Sequence, residues 1–253
     1  MSVGGEQRSQ ATSGSGAQAP WHALVLTLYP GMFPGPLGAG IVGRAVQDGA
    51  FALDTIDIRD FASDKHRTVD DLPFGGGPGL VMKPDVVDAA LAVAIARAPE
   101  GAIAICLSPS GQPFDQSLAR EFAAAPGVVL LCGRFEGIDA RVIEARALRE
   151  ISIGDFVLSG GEPAAMCVID ACVRLLPGVL GAAESLAQES FEDGLLEYPH
   201  YTRPAIWQDR EVPAVLTSGN HANISTWRRE QALRLTAERR PDLWAKHRAL
   251  TQH

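Results

Sequence analysis

Hydrophobic positions fall into two repeating patterns along this chain. Short apolar runs of strand length occur at Ala23–Tyr29 (ALVLTLY), Ala52–Ile58, Ala102–Leu107 and Val128–Cys132. Between them lie longer segments with apolar residues three and four apart, at Ile41–Asp48, Asp85–Ala98 (DVVDAALAVAIARA), Asp115–Ala124, Ala140–Leu148 and Pro163–Leu176. Runs of the first kind predict buried strands and the second predict helices with one apolar face. Strands alternating with helices predict an α/β fold around a mostly parallel sheet covered on both faces. Ile151–Leu158 reads as a strand or as paired turns. The segment 61–79 is polar and glycine-rich without a period, and a loop that long in a compact domain is usually functional or disordered.

The pattern changes after residue 176. Residues 177–199 (PGVLGAAESLAQESFEDGLLEYP) carry Gly, Ser and acids with little periodicity and read as a linker. Beyond them, 200–253 predicts a small helical domain with main helices at 223–237 and 242–250. The expected organisation is therefore an N-terminal extension over 1–20, an α/β domain over 21–180, a flexible linker over 181–199 and a helical domain over 200–253. Residues 1–20 are rich in Gly, Ser, Gln and Ala, which fits a disordered extension.

Composition narrows the partners. The chain has 253 residues, 46% hydrophobic and 21% charged, as in ordinary globular proteins. No apolar run reaches the roughly 18 residues of a membrane span, and no secretory leader is evident, so a cytoplasmic protein that does not engage membranes is expected. The net charge of −8 argues against a nucleic-acid partner. Its distribution argues the other way. From residue 200 on, nine Lys/Arg stand against five Asp/Glu, a net +4 that leaves −12 on the rest. Trp207, Trp227 and Trp244 lie in this basic module, and aromatic rings beside arginines suit stacking on RNA bases; the same residues also suit a solvated helix face with core tryptophans. Cys106, Cys132, Cys167 and Cys172 form no C-x-x-C pair, and reduced, buried thiols are expected of them.

Four segments carry candidate chemistry. They are His66–Asp71 (HRTVDD) with Phe74–Gly79 (FGGGPG), Leu107–Gly111 (LSPSG), Cys132–Asp139 (CGRFEGID), and Ser152–Glu162 (SIGDFVLSGGE). Three of them lie at carboxyl ends of predicted strands, where α/β sheets place ligands. The last breaks at Gly160-Gly161 and opens a helix behind Glu162-Pro163, proline being tolerated in a first helical turn. Gly38–Gly43 matches G-x-G-x-x-G, but a Pro-rich stretch separates it from the preceding strand, so a dinucleotide site there is not expected.

Together with PHYTRP (Pro199–Pro204), these segments resemble the bacterial tRNA (guanine-N1)-methyltransferases of the SPOUT superfamily, in order and spacing, over nearly the whole chain after residue 20. The resemblance implies an α/β domain with a deep trefoil knot, a flexible linker, a helical C-terminal domain and a homodimer with active sites between subunits. It implies transfer of the methyl of S-adenosylmethionine to N1 of guanine 37 of tRNA. The implied cofactor slot is lined by Leu107, Ser108, Pro109, Gly133, Glu136, Ser152, Ile153, Gly154, Phe156, Leu158, Gly160, Gly161 and Pro163. Arg174 is implied at guanine O6, and Glu189 as the base, standing where the family usually has Asp in Asp-Ser-Phe. Glu184, Glu192 and Asp193 are neighbouring acids that could replace it. Gly79, Ser185 and Arg203 are implied to contact the RNA. Mg²⁺ is implied as well, although the sequence shows no metal cage. Two other readings stay open: a SPOUT methyltransferase with a different RNA target, and an RNA-binding protein without transfer activity.

Overall fold

The computed structural model describes residues 19–180, 189–191 and 193–251. The chain folds into two compact units, one formed by residues up to 114 and by 121–179, the other by 115–120 and the residues from 180 onward.

The first unit is built on a five-stranded sheet. Its strands are β1 (Trp21–Thr27), β2 (Phe51–Asp57), β5 (Ile103–Pro113), β6 (Gly127–Cys132) and β7 (Arg149–Ser152), in the order β2-β1-β6-β5-β7, all parallel. β6 occupies the centre and every one of its residues is buried, which is why GVVLLC reads as an unbroken apolar run. A separate two-stranded pairing joins β3 (Asp70–Asp71) to β4 (Val81–Met82). Its helices are α1 (Gly40–Gln47), α2 (Pro84–Arg97), α4 (Ala140–Ala145) and α5 (Glu162–Val173), and α3 (Gln116–Ala124) is divided between the two units at residue 120. Val86, Val87, Ala90, Leu91 and Ala94 of α2 pack with Leu24, Leu26, Ile56 and Leu131 in the core. α5 buries Ala164, Ala165, Val168, Ile169 and Cys172, the spacing of a helix face laid on a sheet. The expected parallel α/β architecture is present.

Three details differ from expectation. β5 continues past Leu107 to Pro113, but Leu107 and Gln112 both stand opposite Ile151, so residues 108–111 leave the ladder and return to it. The loop predicted at the strand end is thus an excursion within a strand. α4 stops at Ala145 rather than Leu148, because Ala147 takes a left-handed φ of 47° and the chain turns into β7. Arg146, at this turn, is held by Asp88 of α2 at 2.5 and 2.8 Å. All four cysteines are free; Cys106, Cys132 and Cys172 are buried as expected, whereas Cys167 is exposed on the outer face of α5.

The second unit has a hairpin of β8 (Ile206–Trp207) and β9 (Arg210–Glu211), followed by α6 (Ala214–Thr217), α7 (His221–Arg239) and α8 (Pro241–Thr251). The Asn220 side chain caps α7 by accepting from the Asn223 N–H at 3.2 Å. The hairpin has no counterpart in the sequence reading, since two-residue strands leave no alternation to detect. Part of the predicted linker packs here as well. Leu195 is buried, the Leu196 N–H donates to Thr236 Oγ1 at 2.8 Å, and Thr236 Oγ1 donates to Ala232 O at 2.7 Å.

Candidate functional site

The carboxyl ends of β5, β6 and β7 open onto a cavity of about 540 Å³ in the first unit, a size typical of ligand pockets. Three segments singled out in the sequence supply most of its wall. The excursion of β5 supplies Leu107, Ser108, Pro109 and Ser110; the turn after β6 supplies Gly133 to Gly137; the turns after β7 supply Ser152, Ile153, Gly154, Phe156, Leu158, Gly160 and Gly161. Of the thirteen residues named for the cofactor slot, Pro163 alone is not on the wall; it sits in the first turn of α5, where it shapes the helix start.

Hydrogen bonds within these segments hold their shape. The Ser108 and Ser110 hydroxyls are 2.7 Å apart. Ser152 Oγ donates to Gly154 O at 3.1 Å, and the Phe156 N–H donates to the same oxygen at 2.9 Å. The Gly161 N–H donates to Gly133 O at 3.0 Å, which closes the last turn onto the end of β6. A Cβ at Gly161 would stand 2.8 Å from Cys132 Cα, so only glycine permits this approach.

The glycine-rich loop 75–79 is tied to the same place. The Glu136 N–H donates to Leu80 O at 2.9 Å, the Met82 N–H to Gly137 O at 2.9 Å and the Asp139 N–H to Met82 O at 3.2 Å. Gly79 has φ +84°, and a Cβ there would collide with the Glu136 side chain. Gly79 and Glu136, assigned to different ligands in the sequence, are therefore in contact. Phe74, before this loop, is 99% exposed.

The charges on the wall are mostly acidic. Glu136, Glu144 and Glu150 face the cavity, and Arg134 is the one Lys or Arg among its lining residues. Arg134 is already engaged by the buried Glu162. Burial and the Glu150 charge push the Cys106 thiol up to about 12, and burial with the Glu162 charge pushes Cys132 well above its ordinary value. Neither thiol is a nucleophile near neutral pH. Among the described residues there is no group of three or more His, Cys, Asp or Glu that could hold a metal.

Glu144, Glu150 and Ile143 were missed in the sequence. They come from α4 and β7, where neither glycine nor a special turn marks them. Arg134 and Ser159 lie within the segments quoted above but were given no role.

The remaining predicted residues lie elsewhere. Arg174, half-buried and engaged with neighbouring groups, follows the last residue of α5 in the first unit. Glu189 belongs to the second unit, where it lines a cavity with Asp193, Leu196, Tyr198 and Arg228. Arg203 is exposed ahead of the hairpin. Ser185, Glu184 and Glu192 lie outside the described residues. Of the three tryptophans in the basic module, Trp227 and Trp244 are half-buried, while Trp207 is 59% exposed with the Arg210 guanidinium 5.8 Å from its ring centroid. No helix among the described residues is long and apolar enough to cross a membrane.

Comparison with known proteins places these features in a family. The profile described as tRNA (Guanine-1)-methyltransferase TrmD matches residues 22–246. A tRNA (guanine-N(1)-)-methyltransferase of Mesorhizobium japonicum is 61% identical over 228 residues, covering 89% of this chain and 97% of the relative. One of Rhodospirillum rubrum is 59% identical over 225 residues, covering 89% and 93%. One of Agrobacterium fabrum is 57% identical over 232 residues, covering 91% and 98%.

Proposed function

The chain belongs to the tRNA (guanine-1)-methyltransferase TrmD family, and from that premise we propose that it carries the methyl group of S-adenosylmethionine to N1 of guanine 37 of tRNA, beside the anticodon. Methylation of tRNA guanine at N1 follows from the family; the donor, the position and the residue roles are our reading. The observation that carries it is the cavity at the ends of β5, β6 and β7, walled by Leu107–Pro109, Gly133–Gly137 and residues of the Ser152–Gly161 segment other than Asp155.

The cavity suits the donor in charge as well as in size. Three carboxylates against one internally paired arginine leave the wall negative, and S-adenosylmethionine brings a sulfonium and an ammonium. When bound, it supplies an electrophilic methyl group. Main-chain N–H and C=O groups at the glycine turns are free to approach a nucleoside closely.

The chain must then activate the nucleophile. N1 of neutral guanine carries a proton, and removing it moves negative charge onto O6. Glu189 is the base in our assignment, with its carboxylate accepting the N1 proton. Arg174 is assigned to O6, where a permanently charged donor stabilises the developing negative charge. The 75–79 loop, against Glu136, is assigned to the extruded guanine; extrusion costs a few kcal/mol that pocket contacts must offset. Arg203 and the exposed Trp207–Arg210 pair of the basic module are assigned to the RNA. Exposed Phe135, Phe156, Val157 and Leu158 at the cavity fit a homodimer with its sites between subunits, and a trefoil knot is part of the same expectation.

The test is methyl transfer from labelled S-adenosylmethionine to paired tRNA transcripts that differ only at position 37. We expect label in the guanine transcript and none in the adenine one. Label in both, or in neither while the donor still binds, overturns the target assignment.

A further inference from the structure

Glu162 has no part in the chemistry above, yet among the described residues it is the one acidic side chain that is buried, at 0% exposure. A carboxylate withdrawn from water needs compensating partners. Thr27 Oγ1 donates to Glu162 Oε1 at 2.6 Å and Arg134 Nε donates to the same oxygen at 3.2 Å. Arg134 Nη2 lies 2.8 Å from Oε2, but outside hydrogen-bond angles, so that contact is ionic and Oε2 has no hydrogen bond. The Thr27 hydroxyl is itself fixed, because it accepts from the Tyr29 N–H at 2.9 Å.

Arg134 uses its remaining surface on the cavity wall. Nη1 donates to Ser159 O at 3.0 Å, and the guanidinium carbon lies 4.4 Å from the Tyr29 ring centroid. Its side chain lies so close to Gly160 that a Cβ there would overlap it. Glu162 directly follows Gly161, and Arg134 directly follows Gly133, the two residues joined by the 3.0 Å backbone bond. The ion pair therefore joins two adjoining turns of the wall, while Glu162 itself is not on it. Buried ion pairs seldom add net stability over an apolar pair. A charge-assisted hydrogen bond backed by a second close ionic approach does fix direction.

We infer that Glu162 is a positioning residue for the methyl donor: its buried carboxylate orients Arg134, which clamps the Ser159–Gly161 turn against the turn after β6 in the shape that receives the cofactor. This inference rests on reading the cavity as the S-adenosylmethionine site. Removing the charge leaves the wall free to relax and weakens donor binding. The chemical step, assigned to Glu189 and Arg174, is untouched.

The test measures S-adenosylhomocysteine affinity by calorimetry on the full chain, with methyl-transfer kinetics in parallel. Glu162→Gln keeps the volume and turns an amide N–H₂ toward the guanidinium. We expect roughly three- to tenfold weaker binding, about the loss of one well-placed hydrogen bond to the donor. KM for the donor should rise in step, with kcat at saturation within about threefold. Glu162→Asp, which keeps the charge, should recover part of the affinity. Arg134→Lys, which keeps the charge but loses the planar guanidinium that reaches both Glu162 and Ser159 O, should also weaken binding. It decides the matter if Glu162→Gln shows no cooperative melt. Binding within about twofold of the unaltered protein in the variant that decides, or a fall in kcat at unchanged affinity, overturns the inference. No binding by the unaltered protein would overturn the reading of the cavity, and this inference with it.

Discussion

Adding one methyl group at Gly161 tests how closely the last turn of the site must approach the sheet. Gly161 has φ −76° and ψ −12°, a conformation alanine adopts freely, so any penalty is steric. The new Cβ would stand 2.8 Å from Cys132 Cα and 3.1 Å from Gly133 N, where carbon contacts settle near 3.5–4.0 Å. Both obstacles are backbone at the buried end of β6, which cannot swing aside as a side-chain tip can. Overpacking of this kind costs about 1–3 kcal/mol, and stretching the Gly161 N–H bond to Gly133 O adds about 1 kcal/mol. At about 2–4 °C per kcal/mol for a unit of this size, Gly161→Ala should melt roughly 5–15 °C below the unaltered chain. Gly133→Ala is the control. Its Cβ would meet nothing nearer than Ile138 Cδ1 at 3.5 Å, so its cost should stay under about 1 kcal/mol. Circular dichroism melts of the two variants decide the matter. A Gly161→Ala midpoint within about 2 °C of the original would refute the close-approach argument.

Four further outcomes are expected. Arg174→Ala and Glu189→Gln should each lower turnover by about a hundredfold or more while S-adenosylhomocysteine affinity, read by calorimetry, stays nearly unchanged; loss of cofactor binding would remove them from their assigned roles. Trp207→Ala should raise KM for tRNA by roughly five- to a hundredfold, as for loss of one stacked base, without altering KM for the donor. Iodoacetamide applied to the native protein should modify Cys167 and spare Cys106, Cys132 and Cys172, which are buried and whose thiols are pushed up; peptide mass mapping reads the result. The hydrogen bonds from Arg146 hold the Asp88 carboxyl below its ordinary value of 3.8. Its contribution to stability is thus present above about pH 4 and lost as the pH falls through the lowered value. Asp88→Asn should flatten the dependence of the melting midpoint on pH below about 4 and leave the slope above it unchanged.

The parallel sheet was legible because its central strands are buried on both faces and spell continuous apolar runs, as in Val128–Cys132. The segments that form the cavity wall stood out because their turns need glycine, as at Gly160-Gly161, but the individual slot residues were implied only by the family resemblance. Contacts between segments were not legible. Nothing in the sequence says that Gly79 packs on Glu136, or that Glu162 turns inward to Thr27 and Arg134, because such pairs depend on register and topology rather than on local pattern. Glu144 and Glu150 escaped for the same reason, being acids on a regular helix and strand. The β8–β9 hairpin escaped because its turn uses Gln208 and Asp209 at φ 49° and 57°, residues less typical of such turns than Asn-Gly. The excursion of β5 was half-seen: LSPSG was recognised as irregular, but not as a detour from which the strand resumes beside Ile151.

The backbone ladder between Leu80–Met82 and Glu136–Asp139 has a thermodynamic consequence. Three main-chain hydrogen bonds just after the glycine-rich loop, and the side chain of Glu136 resting on Gly79, tie that loop to the turn after β6. A ligand that stiffens either segment has already met part of the ordering cost of the other. On the proposed assignments of donor and guanine, the two ligands would not bind independently, and the factor by which the first tightens the second would equal the factor in the reverse order. Affinity for the donor, measured with and without RNA, therefore reports on a loop the donor need not touch.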